Sequence, residues 1–157
     1  MPSSTLFPAA LALLLAAAAA EDVWRLRISN ITVIAVIALF ACAAVTGEVT
    51  GSWQSHIGAG AIALGVGVVL FAVGAFGGGD AKLLAAAALW VDVAHLPRML
   101  LAVAISGFLL LAFAVVGRRV LSAAVASGDP KHLLNRHSRL PYGVAIAAGT
   151  LLTMAQG

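Results

Sequence analysis

The chain has 157 residues, of which 62% are hydrophobic and 10% charged, with a formal net charge of +3. A soluble domain carries about a quarter charged residues, and here the apolar residues come in long runs, so the composition excludes an ordinary water-soluble fold and points to one membrane domain over residues 1–157. The basic excess does not indicate nucleic acid, because no stretch combines dense Lys/Arg with interleaved aromatic residues.

Six apolar segments follow in chain order. The first covers residues 6–20 and ends in Ala16 to Ala20, a small-residue run of the kind that precedes a signal-peptide cleavage site. No Lys or Arg precedes Arg25, so the basic start of a signal peptide is missing and a retained helix is expected, kinked at Pro8. Residues 31–45 form the second segment, beginning after Asn30 and containing Cys42. As the sole cysteine, Cys42 allows no disulfide within the chain and no zinc site built on cysteine pairs. Segment three, residues 57–76, carries Gly58, Gly60, Gly65, Gly67 and Gly74. Small residues let helices approach closely in lipid, so this helix is expected inside the bundle. The fourth (81–91) and sixth (142–154) are short against the roughly 20 residues of a span. Between them lies the fifth, 99–116, which residues 120–126 extend before the turn signal Gly128-Asp129-Pro130. The expected architecture is an all-α integral membrane bundle of about six transmembrane helices.

Charge orients this bundle. With the N-terminus extracytoplasmic, Arg25, Arg27, Lys82, Arg118, Arg119, Lys131, Arg136 and Arg139 fall on the cytoplasmic side, and of the 9 basic residues only Arg98 falls outside. Trp53 and Trp90 suit an interfacial aromatic belt, and Trp24 sits by the inner interface.

Of the 6 acidic residues, Asp22 and Asp80 fall on this cytoplasmic side, at the end of the first helix and the start of the fourth. Ionisable groups at membrane segments are costly and therefore functional candidates. Two carboxyl groups brought together share a proton: the ionised one activates water, and the protonated one polarises an amide carbonyl and then protonates the leaving amine. The preceding Gly77, Gly78 and Gly79 let backbone turn tightly and a peptide strand approach. A plainer reading stands beside this one. Asp80 after glycines is an ordinary helix N-cap, and Asp22 alone is an ordinary interfacial residue.

The sequence Gly77-Gly78-Gly79-Asp80-Ala81-Lys82 resembles the Gly-x-Gly-Asp-x-Lys signature of type IV prepilin peptidases. Asp22-Val-Trp-Arg-Leu-Arg27-Ile-Ser-Asn30 is similar to that family's first aspartate segment, with its basic pair and Ile-Pro-Asn ending. Leu140-Pro141-Tyr142-Gly143-Val144-Ala145-Ile146 resembles the start of the last helix in the short, Tad/Flp-associated branch. The resemblance implies an inner-membrane aspartyl endopeptidase that removes prepilin leaders at the cytoplasmic face, with Asp22 and Asp80 as the catalytic pair. It implies a prepilin substrate and pilus-assembly partners, and neither metal nor other cofactor. Longer members carry two Cys-x-x-Cys pairs linked to N-methylation; with one cysteine, this chain is expected to lack that activity. Ser29 replaces the usual Pro and is expected to loosen the turn.

Helix ends suggest that Asp80, at an N-terminus, is the base, and Asp22, at a C-terminus, the acid. Lys82 either snorkels to headgroups or holds Asp80 or a substrate carboxylate. His132 and His137 lack a third ligand and do not make a metal site, and Asp92 and His95 read as interfacial. The rival class is a non-catalytic membrane protein such as a small transporter or assembly subunit, but the paired interrupted halves of a transporter are not evident.

Overall fold

A computed structural model of the protein describes residues 3–49, 51–124 and 142–155. The described residues form six helices and no strand: α1 (Ser3–Arg25), α2 (Asn30–Val45), α3 (Trp53–Ala72), α4 (Gly78–Ala88), α5 (Leu96–Ala124) and α6 (Tyr142–Met154). Three of them are long and apolar enough to cross a membrane, over Thr5–Arg25, Trp53–Ala72 and Leu96–Val116. Many large apolar side chains point outward, among them Leu13, Ile34, Val69 and Phe113, as a chain solvated by lipid requires. The turn expected at Gly128-Asp129-Pro130 and the residues Lys131, His132, Arg136, His137, Arg139, Leu140 and Pro141 lie outside the described residues.

The helices stop where their sequences supply stop signals. Gly47 (φ 74°) and Gly74 (φ 76°) take the left-handed conformation just beyond α2 and α3, where glycine carries no Cβ penalty. At the end of α1 this position falls to Leu26 (φ 51°), the one non-glycine residue among those described with positive φ. Ser29 begins α2. Its Oγ accepts the Thr32 N–H at 3.2 Å, and its own N–H donates to Glu21 Oε2 at 3.1 Å. Thr32 Oγ1 donates to the same carboxylate oxygen at 2.9 Å. The turn expected to be loosened by Ser29 is therefore tied at both ends, because serine supplies an N–H and a cap that proline lacks.

The glycine-bearing third helix is not internal. Its glycines make one close-packing face rather than two: Ala59, Gly60, Ala63 and Gly67 are buried against α4, while Ile62, Leu64, Val68, Val69 and Phe71 are exposed. The central helix is instead α4. Its Asp80, Ala81, Leu83, Leu84, Ala86, Ala87 and Ala88 are buried, nearly all round the axis. Eleven residues span about 16 Å, half a bilayer's hydrocarbon thickness, and burial along α4 runs from Asp80 to Ala88. α6 packs against α5, α1 and α4, and joins the last two. At the opposite end from the aspartates, buried His56 of α3 bonds the Leu89 carbonyl through Nδ1 at 2.9 Å and lies 5.7 Å from the Phe40 ring. It anchors the far end of α4.

A Cβ on Gly67 would lie 2.9 Å from Ala81 Cα and 3.0 Å from Ala81 Cβ, so any side chain there forces α3 away from α4. At Gly65 an added Cβ meets nothing within 4 Å. Thermal unfolding in detergent is expected to show Gly67→Ala destabilised by about 1–3 kcal/mol, with Gly65→Ala unchanged or slightly stabilised.

Candidate functional site

Two carboxyl groups are buried where α1, α4 and α6 meet. Asp22 lies in the last turn of α1 and is 4% exposed; Asp80 lies in the first turn of α4 and is 8% exposed. The backbone donors that hold them, Gly143 and Gly77, directly follow Tyr142 and Phe76, whose rings lie 5.0 Å apart between centroids. The first apolar segment was expected to end at Ala20 with Asp22 closing its helix, and the helix runs on to Arg25 with Asp22 in its last turn.

Each carboxylate is held by a backbone N–H at the start of a helix. Gly143, the second residue of α6, donates its N–H to Asp22 Oδ2 at 2.6 Å. Gly77, the N-cap residue of α4, donates its N–H to Asp80 Oδ2 at 2.9 Å. The first N–H groups of a helix have no partner within it, and a buried helix start must find one. The carboxylates fill that need. Asp80 is therefore not the N-cap itself but the third helical residue, reaching back to the cap as in half of a capping box. Its Oδ1 is buried and makes no hydrogen bond among the described residues. Since both aspartates receive an N–H from a helix N-terminus, the assignment of base and acid from helix ends loses its footing. The dipole of α6 acts on Asp22 as that of α4 acts on Asp80.

The glycine triplet is required for closeness rather than for unusual torsions. Gly77 has φ −78° and ψ 155°, open to any residue. A Cβ on Gly77 would however sit 2.9 Å from Asp80 Oδ2, and one on Gly79 would press on Ile28 at 3.2–3.4 Å, where the α1–α2 turn crosses the loop. Gly78 meets only the Phe71 ring, at 3.7 Å.

The remaining candidates divide. Lys82 does not hold Asp80. Its Nζ donates to Asn30 Oδ1 at 3.2 Å, linking the starts of α4 and α2 at the surface. Arg27 is exposed and forms no ion pair among the described residues. Asp92 and His95 pair in an exposed turn before α5, with Nδ1 2.7 Å from Oδ1 and the His95 N–H donating to the same oxygen. These bonds hold the Asp92 carboxyl below the usual carboxylate range.

Sequence reasoning missed Gly143 as a partner of Asp22, along with the Glu21–Ser29–Thr32 network. It also missed the contact of the Phe76 and Tyr142 rings, whose centroids are 5.0 Å apart. Glycine at the second position of a helix was the available signal for Gly143, since glycine is a poor helix former. A Cβ there would lie 3.0 Å from both Cβ and Oδ2 of Asp22.

Taken together, two adjacent buried carboxyl groups with backbone-pinned oxygens suit proton exchange with a bound water or amide. The description of the type IV leader peptidase family matches residues 9–115, a stretch that includes both aspartates, and the chain belongs to that family. No curated protein and no solved structure matches it.

Two variants separate the parts of this site. Gly143→Ala is expected to shift Asp22 and lower leader cleavage by about a hundredfold, while the protein still folds, as read by peptide cleavage beside thermal melting. Lys82→Met breaks an exposed link to Asn30. It is expected to keep normal turnover and to cost at most about 1 kcal/mol of stability.

Proposed function

We propose that this type IV leader peptidase family member is an aspartyl endopeptidase of the inner membrane, which cuts the leader from prepilins at the cytoplasmic face with Asp22 and Asp80. The single observation that carries this reading is the burial of two carboxyl groups on helices that α6 joins, each with an oxygen fixed by a glycine N–H at a helix start. Such a pair cannot readily hold two negative charges side by side, so one proton serves both.

The chemistry then follows without a metal. The ionised carboxylate takes a proton from water as the water oxygen bonds to the scissile carbonyl carbon. The protonated partner gives its proton to the carbonyl oxygen, forming a tetrahedral diol. In the collapse of the diol the C–N bond breaks, the protonated carboxyl gives its proton to the departing amine, and one diol hydroxyl gives its proton to the ionised carboxylate, which restores the pair. The backbone donors keep the two side chains in place through these exchanges, so little reorganisation accompanies the reaction. Joint titration makes base and acid properties of the pair, not of either residue.

Arg25 and Lys82 lie on the helices that carry the aspartates and Arg27 in the turn after α1, and this basic clustering supports a cytoplasmic position for the site. The single cysteine, exposed Cys42, builds no Cys-x-x-Cys pair, which supports peptidase activity without N-methylation of the product. Pilus-assembly proteins and the bilayer itself are the proposed surroundings.

Co-expression with a prepilin tests the reading. Asp22→Ala and Asp80→Ala, each at normal membrane levels, are expected to lower leader cleavage by about a thousandfold or more, and the double variant by no more than either alone. Cleavage that survives in either single variant removes the proposed mechanism.

A further inference from the structure

An apolar groove of about 360 Å³ runs between α3 and α5. It exists because α3 packs on α4 and α5 packs on α6, while the two outer helices make little contact with each other. Val66 and Leu70 line one wall, Leu100 and Phe108 the other, and Leu84 of α4 lies between them. The tyrosine hydroxyl apart, no side chain in the lining carries a polar group.

The position of this groove ties it to the carboxylates. Phe76 and Tyr142 both line it, and their rings touch. Phe76 directly precedes Gly77, whose N–H holds Asp80; Tyr142 directly precedes Gly143, whose N–H holds Asp22. Leu84 lies four residues after Asp80 and shares its face of α4. The groove thus ends at a pair of rings, each one residue away from a backbone donor of the site.

We propose that the groove seats the apolar helical segment of the substrate and delivers the adjoining extended stretch across the Phe76–Tyr142 contact to Asp22 and Asp80. This rests on the proteolytic reading above. A helix satisfies its own amides and asks only for shape and apolar surface from a wall in lipid. The groove offers both, with the small exposed side chain of Ala104 on the α5 side allowing a backbone close approach. A lipid tail has the apolar surface but presents no amide at the end where Phe76 and Tyr142 adjoin the glycines that hold the two carboxylates. A peptide whose helix stops there presents one.

Crosslinking and kinetics test this together. A photoreactive p-benzoylphenylalanine placed at Phe108, in a variant silenced by Asp22→Asn and Asp80→Asn, is expected to capture a co-expressed prepilin through its apolar segment. The same group at Ile34, exposed on α2, is expected not to. In the active enzyme, Ala104→Trp fills the groove. It is expected to raise KM for the helix-bearing prepilin about tenfold, with kcat nearly unchanged. Cleavage of a short peptide that spans the leader junction but lacks the helix should stay as it was. Capture of lipid alone from Phe108, or an equal loss on both substrates, overturns the docking proposal. Wild-type protein that cleaves neither substrate overturns the proteolytic reading instead, and the silenced variant reports on docking whether or not the chemistry is right.

Discussion

Two hydrogen bonds organise this molecule: the Gly143 N–H on Asp22 and the Gly77 N–H on Asp80. Both arise from a constraint that water would remove. Gly143 at the start of α6 is buried and Gly77 at the start of α4 is half-buried, and their first N–H groups have no partner in their own helices. A carboxylate is a strong acceptor for such a donor. The protein closes two helix starts with two acids, and in doing so places the acids beside each other. The atoms that finish the fold are those proposed to do the chemistry.

This placement depends on helix lengths and small residues. α4 has 11 residues and α6 has 13, and the start of α6 meets the last turn of α1 where the Gly143 N–H bonds Asp22. Glycine and alanine let the backbones meet there. Gly67 touches Ala81, Gly79 takes the Ile28 turn, and a Cβ on Gly149 would lie 2.6 Å from the Val103 backbone nitrogen. The outer helices α3 and α5 are then left apart, and their separation opens the apolar groove whose end rings adjoin both glycine donors. The proposed access to the acids and their hydrogen-bonded placement follow from one packing arrangement.

Much of this was legible in the amino-acid order. Apolar runs gave six helices and an all-α membrane fold, and the two aspartate segments pointed to the family that the residue 9–115 match establishes. What could not be read was partnership across the chain. Asp22 and Gly143 are 121 residues apart, and no local pattern couples them. The sidedness of the α3 glycines was equally hidden. Their periodicity is the same whether one face or two are packed, and burial on α4 alone decides it. Ser29 was misread because its absent ring was weighed and its N–H was not; that N–H binds Glu21. Of the roles open to Lys82, holding Asp80 is the one that fails, because a helical side chain two residues on points elsewhere, and here it meets Asn30.

The proximity of the two acids is the claim on which the chemistry stands, and it can be measured without any substrate. Asp22→Cys combined with Asp80→Cys, in a Cys42→Ser background, is treated in native membranes with a short bifunctional thiol reagent and sized after cleavage of the chain between the two positions. A single linked product is predicted, absent when Asp22→Cys is combined instead with Ile57→Cys at the far end of α3. Free thiols at 22 and 80 that never link, under conditions where each reacts singly, would contradict the account.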